Sequence, residues 1–126
     1  MNPMNIVNLS SILLVAAGGA VGCVGRFLVI RQVARLNPTI FPLGTMVVNI
    51  LGSMLMGLIL ARYGTQHSAR IFLVNGMAAG FTTFAAFSWD VTQLLHRGQY
   101  MQAGVYITGS VVLAVACLML GWKLAQ

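Results

Sequence analysis

A chain of 126 residues that is 59% hydrophobic and 6% charged, with seven Lys or Arg, one acidic residue and a formal net charge of +6, has too little charge to cover a soluble surface. Soluble domains carry roughly 25% charged residues, and disorder requires low hydrophobicity with high charge; both classes are excluded, and a single integral membrane domain remains. The cations are scattered singly between apolar blocks, the arrangement membrane insertion requires, rather than gathered on one face, so no nucleic-acid partner is expected.

Four apolar blocks follow in chain order, at 12–30, 43–63, 71–95 and 101–124. Each is near the ~20 residues that a helix needs to cross hydrocarbon. Backbone polar groups in lipid must be satisfied within the segment, so each block is expected to be helical. The first block is too long and too glycine-rich at its end for a cleaved signal peptide and is read as a true span. The connectors at 31–42, 64–70 and 96–100 are short, and no soluble domain is left over. Cys23 and Cys117 sit inside apolar stretches without metal-ligand spacing and are read as packing residues.

Small residues recur at helical spacing: Gly18 with Gly22 in block one, Ser53 with Gly57 and Ala61 in block two, Gly76 with Gly80 in block three. Such faces let helix backbones approach closely where lipid supplies no hydrophobic drive. Charge placement is nearly balanced. Arg62, Arg70 and Lys123 fall on one side of a four-span chain; Arg31, Arg35 and Arg97, with Arg26 if it reaches outward, fall on the other. A chain with so little positive-inside bias can insert both ways and pair antiparallel with itself.

Block three holds the densest polar constellation, from Asn75 through Gly80, Thr82, Thr83, Phe84 and Phe87 to Ser88. Glycine is costly in a helix and hydroxyls compete for backbone carbonyls, so a break in mid-span is expected here. Freed N–H and C=O groups are tolerated at membrane depth only where protein or a water-filled cavity receives them, and transporters use such breaks to bind ions. Phe84 and Phe87 share a helical face, and the positive edges of their rings can face an anion without trapping it as a fixed charge would. Asn49, Tyr106, Thr108 and Ser110 add hydrogen-bonding groups at apolar depth, Tyr106 and Ser110 on one face. Individually each serves equally as glue between helices. With Thr82, Thr83 and Ser88 they can replace the water around a small hard anion. Asp90 is the sole acid, so neither a ring of carboxylates for cation selectivity nor a ready proton-exchange site is provided; Asp90 is read as answering an arginine or capping the local charge. His67 and His96 lack ligand spacing.

The run Gly80-Phe-Thr82-Thr83-Phe84-x-x-Phe87-Ser88-x-Asp90 resembles the central motif of the Fluc (CrcB-like) fluoride channels. The resemblance extends through Gly18-Gly19 to Arg26, through Gly44-Thr45-Met-Val-Val-Asn49, and to Gly109-Ser110, covering essentially the whole chain. It implies an all-α membrane protein with four transmembrane helices per subunit, the third broken mid-membrane, assembled as an antiparallel, dual-topology homodimer with two fluoride pores in a bacterial-type inner membrane. Phe84 and Phe87 resemble the phenylalanines that line the pores with their ring edges. Asn49, Tyr106 and Ser110 match polar pore-lining positions, with Thr83 and Ser88 alongside, and Arg26 resembles a basic residue at the aqueous vestibule. A structural sodium ion at the dimer centre would be held by backbone carbonyls that map to Ala79 and Thr82. The sequence departs from the family pattern where Ala85-Ala86 replaces the usual Ser-Thr, removing hydroxyls from a polar track beside the rings, and where Ala79 replaces a common glycine.

The function so implied is passive export of cytoplasmic fluoride by a non-enzymatic channel. Two other classes share the size and span count: a small multidrug-type proton-coupled exporter, weakened by the missing membrane carboxylate, and a non-conducting membrane assembly protein held by its glycine faces. No nucleophile–base pair or metal cluster suggests an enzyme.

Overall fold

The computed structural model describes residues 7–126, and every regular element among them is helical. Helix α1 (Leu9–Leu36) starts on Asn8, whose side chain accepts a hydrogen bond from the Ser11 amide at 2.8 Å, satisfying one of the donors that a helix start leaves open. It runs beyond the apolar block that ends at Ile30 and stops at Asn37, because Pro38 disfavours helical backbone in the residue before it. Helix α2 (Leu43–Tyr63) follows a connector that ends in Pro42.

The third block is composite. α3 (His67–Arg70) passes into a π-helical stretch, Ile71–Ala78, and then a last α-turn, α4 (Ala79–Phe81). Thr82 and Thr83 are extended, with φ/ψ of −91°/159° and −153°/118°. α5 (Phe84–His96) then begins with Thr83 as its N-cap. The turn into α6 (Tyr100–Ala125) passes through Gly98, whose φ of 72° is a conformation that glycine adopts without a Cβ clash. Leu9–Leu36, Leu43–Tyr63, His67–His96 and Tyr100–Ala125 are each long and apolar enough to cross a membrane.

Two helix pairs carry the packing: α1 lies along the π-helical stretch and α4, and α2 lies along α6. Both contacts are set by glycine. A Cβ on Gly18 would strike the Phe72 carbonyl and one on Gly22 the Met77 carbonyl, while a Cβ on Gly76 would stand 2.9 Å from the Gly18 Cα. The Gly18/Gly22 and Gly76/Gly80 pairs thus face each other. In the second pair a Cβ on Gly57 would strike the Leu118 carbonyl and one on Gly121 the Met54 carbonyl. Most large apolar side chains on the outer faces stay exposed, Val24, Phe27, Val112 and Val115 among them, as a surface solvated by lipid allows. The interior is small: Leu94, Ala103 and Tyr106 form its buried centre, with Phe41, Met46, Phe87 and Val91 packed around them.

The two extended threonines cannot return all their backbone bonds to a helix, and side chains from α1 and α2 supply partners. Asn49 of α2 accepts the Thr83 N–H on Oδ1 at 2.8 Å and donates through Nδ2 to the Thr83 carbonyl at 3.1 Å, so its amide replaces a strand partner. Arg26 of α1 donates to the Thr82 carbonyl at 3.3 Å. The Thr82 hydroxyl donates back to the Ala78 carbonyl at 3.2 Å, with Ala79 at 3.4 Å, and the Thr83 Oγ1 accepts the Ala86 N–H at 3.2 Å.

Two stability outcomes follow. Gly57→Leu overpacks the α2–α6 contact and should cost about 1–3 kcal/mol or more, lowering the thermal midpoint in detergent, whereas Gly104→Leu, which projects into open space, should leave it unchanged. Asn49→Leu keeps the volume but orphans the Thr83 N–H and carbonyl, a loss of about 1–3 kcal/mol for each unsatisfied group; a midpoint equal to that of the parent would show that the amide does not splint the chain there.

Candidate functional site at the helix interruption

Between α2, the interruption, α5 and α6 lies an open groove of about 300 Å³. Asn49, Ser53 and Met56 line it from α2, Thr82 and Thr83 from the interruption, Phe84 and Phe87 from α5, and Ser110 and Ala114 from α6. The spacing on each helix explains the convergence: Asn49, Ser53 and Met56 are four and three apart, as are Ser110 with Ala114 and Phe84 with Phe87. The Ser110 side chain is buried at 4% exposure and its Oγ has no hydrogen-bond partner. Phe84 is 78% exposed and its ring centroid stands 5.5 Å from that of Phe87, tilted by 36°.

Behind Phe87 the groove is backed by an aromatic stack. The Tyr106 ring stacks on Phe87 at 5.2 Å between centroids, and Phe41 meets Tyr106 edge-on at 5.7 Å. Tyr106 is wholly buried and donates its hydroxyl to Asp90 Oδ2 at 2.9 Å.

The structure therefore gathers Asn49, Thr82, Thr83, Phe84, Phe87 and Ser110 on one wall. Other expected residues lie elsewhere. Tyr106 shares the Ser110 face of α6 but is covered by Phe87, so it supports the groove from beneath and presents no hydroxyl to it. Ser88 is exposed, does not line the groove, and donates to the Phe84 carbonyl at 3.0 Å. Arg26 is half-buried and donates to the Thr82 carbonyl, with Cys23 Sγ at 3.9 Å from its other terminal nitrogen. Asp90 accepts from a tyrosine, where an arginine partner or a capping of local charge was expected. Asn49 does stand on the wall, where its amide holds both backbone groups of Thr83 and one N–H is left over. The carbonyls of Ala79 and Thr82 lie on either side of the end of α4. His67 and His96 are exposed, and among the described residues no three His, Cys, Asp or Glu side chains gather as a metal cluster.

Ser53 was read from the sequence only as a small residue for helix contact. Its position four residues beyond Asn49 was the available signal that it shares the Asn49 face. Among the described residues, no ionised group lines the groove. Its hydroxyls and ring edges are neutral, so the site suits a small anion that must shed water yet leave again.

The model of the family described as CrcB-like protein, Camphor Resistance (CrcB), matches residues 13–122. A Cereibacter sphaeroides protein named fluoride-specific ion channel FluC is 47% identical over 116 residues, which is 90% of this chain and 92% of its own length. Proteins of the same name from Nitrobacter winogradskyi and Caulobacter sp. are each 43% identical, over 119 and 123 residues. The first of these matches covers 91% of this chain and 94% of its relative; the second covers 94% and 96%. With four spans, a polar interruption in the third and a family match from the first helix to the last, the chain belongs to the CrcB-like family.

Proposed function

We propose that the chain is a passive fluoride-selective channel that lets cytoplasmic fluoride leave a bacterial-type inner membrane. The observation that carries this reading is the neutral groove at the interruption, where hydroxyls and phenylalanine edges converge, in a chain whose relatives are named fluoride-specific channels. Fluoride is small and strongly hydrated. It enters a narrow path only where donors and positive ring edges replace its water, and it leaves only where no fixed cation holds it. Thr83 and Ser110 offer hydroxyl protons, and Phe84 and Phe87 offer ring edges, at membrane depth. Asn49 acts by holding Thr83 in place. The proton-coupled exporter finds little support, since Asp90 is bonded to Tyr106 and is not part of the groove wall.

The working unit in this reading is an antiparallel homodimer of dual topology. Supporting it are the near balance of arginines between the two sides of the spans and the exposed ring of Phe84, which a second copy would cover. The break in the third span then lies at mid-membrane, where two copies meet. The donor set there suits a sodium ion: carbonyls released from helical bonding at the end of α4, chiefly those of Ala79 and Thr82, are hard oxygen ligands with a lone pair to spare. One chain supplies too few, so the site is completed by the partner copy. Bound sodium would contribute positive charge that offsets the carbonyl dipoles, in company with Arg26, which already donates to Thr82.

Liposomes containing the protein should release fluoride on dissipation of the electrical potential and retain chloride; equal release of both ions would remove the selectivity. The sodium site predicts a thermal midpoint in detergent that rises with sodium and not with choline at equal ionic strength. Identical midpoints in the two salts would overturn it without touching the fluoride reading.

A further inference from the structure

The polar side chains on the groove wall are not equally free to meet an ion. Asn49 gives one amide proton to the Thr83 carbonyl and keeps the other, and the Thr82 proton goes to the Ala78 and Ala79 carbonyls. Thr83 commits its oxygen to the Ala86 N–H but keeps its proton. A dehydrated anion needs protons that are not already donated. Ser110 offers one, since its buried Oγ has no partner.

Ser53 offers another. Hydroxyl residues in helices commonly return their proton to the carbonyl four residues back, as Ser88 does to Phe84 at 3.0 Å and Thr92 to Ser88 at 2.9 Å. Ser53 has no such bond among the described residues and stands on the groove wall. It lies about one turn beyond Asn49 on the same face of α2, about 6 Å further along the groove. Past it the wall is apolar, formed by Met56, Ala114 and Leu118. Ala85 and Ala86, where the family resemblance leads one to expect hydroxyls, are not on this wall, so α2 is the element placed to extend the donor strip.

Resting on the channel reading, we propose that Ser53 is a fluoride-contacting residue of the conduction path, which donates its hydroxyl to the ion on the apolar side of Thr83 and Ser110. It fixes how far along the groove a dehydrated fluoride is supported by protons.

The test compares fluoride efflux from liposomes carrying the parent, Ser53→Ala and Ser53→Thr. Removing one donor to an ion costs on the order of ten-fold or more, so Ser53→Ala should slow efflux by at least that factor at an unchanged thermal midpoint, and Ser53→Thr should restore the rate to within a few-fold of the parent. Ser53→Cys in a chain also carrying Cys23→Ala and Cys117→Ala gives a second readout: a small hydrophilic thiol reagent should block its fluoride current, which a cysteine turned into packed protein would not permit. Parental rates in Ser53→Ala, or a current indifferent to the reagent, overturn the role of Ser53 while the parent still conducts. A parent that releases no fluoride overturns the channel reading, and the role of Ser53 with it.

Discussion

Two consecutive extended residues inside an otherwise helical span create a debt of backbone hydrogen bonds, and settling it determines where the neighbouring helices must lie. Thr83 is held through both its N–H and its carbonyl by one Asn49 amide, and the Thr82 carbonyl by Arg26. The Asn49 side chain is short, so α2 must come in close for its amide to reach both groups. Glycine permits that approach. A Cβ on Gly52 would strike the Thr82 methyl and stand 3.1 Å from the Phe81 ring, and a Cβ on Gly22 would stand 2.8 Å from the Phe81 amide nitrogen. The small-residue faces of α1 and α2 are therefore linked to the polar site: they bring the backbones within reach so that the interruption can be satisfied in a medium without water.

The charged residues follow the same economy. The single acid, Asp90, serves a buried tyrosine, and the tyrosine ring in turn underlies Phe87. The carboxylate thus fixes an aromatic surface rather than placing negative charge beside the groove, where it would repel an anion. Arg26 is handled in the opposite sense. It stands near the interruption, but its guanidinium is engaged by a carbonyl dipole, which tempers its field and keeps it off the groove wall. What remains on that wall is neutral.

Much of this was legible in the sequence, and the failures are specific. The four spans were visible because hydrocarbon thickness sets a length that composition reveals. The polar wall was visible as far as Asn49, Thr82, Thr83, Phe84, Phe87 and Ser110, because helical spacing and the motif around the threonine pair both single them out. The direction of a side chain within its face was not legible. Tyr106 and Ser110 share a face of α6, yet bulk sends the tyrosine under Phe87 while the serine is left without a partner. The engagement of Asn49 with Thr83 was hidden because its partner is a backbone thirty-four positions away. The π-helical stretch Ile71–Ala78 left no mark in composition or periodicity, being a change of hydrogen-bond register along an evenly apolar run. It lies where α1 makes its closest backbone contacts, at Phe72, Gly76 and Met77, so tertiary contact accompanies the altered register.

A neutral groove raises the question of how the proposed channel prefers fluoride to a larger halide, which is easier to dehydrate. Loose neutral donors would favour the larger ion, because they return less to fluoride than water does. The preference requires donors that cannot retreat. Thr83 is clamped at both backbone groups and at its side-chain oxygen, so its proton has a fixed origin. Ser110 sits on a helix pinned to α2 by Gly57 and Gly121, where carbonyls already fill the space of a Cβ. Phe87 is stacked against a tyrosine whose hydroxyl is itself tied down. Displacing these groups to suit a bulkier ion would break those contacts together, so the donor positions are set by backbone packing and not by the pliancy of the side chains that carry them.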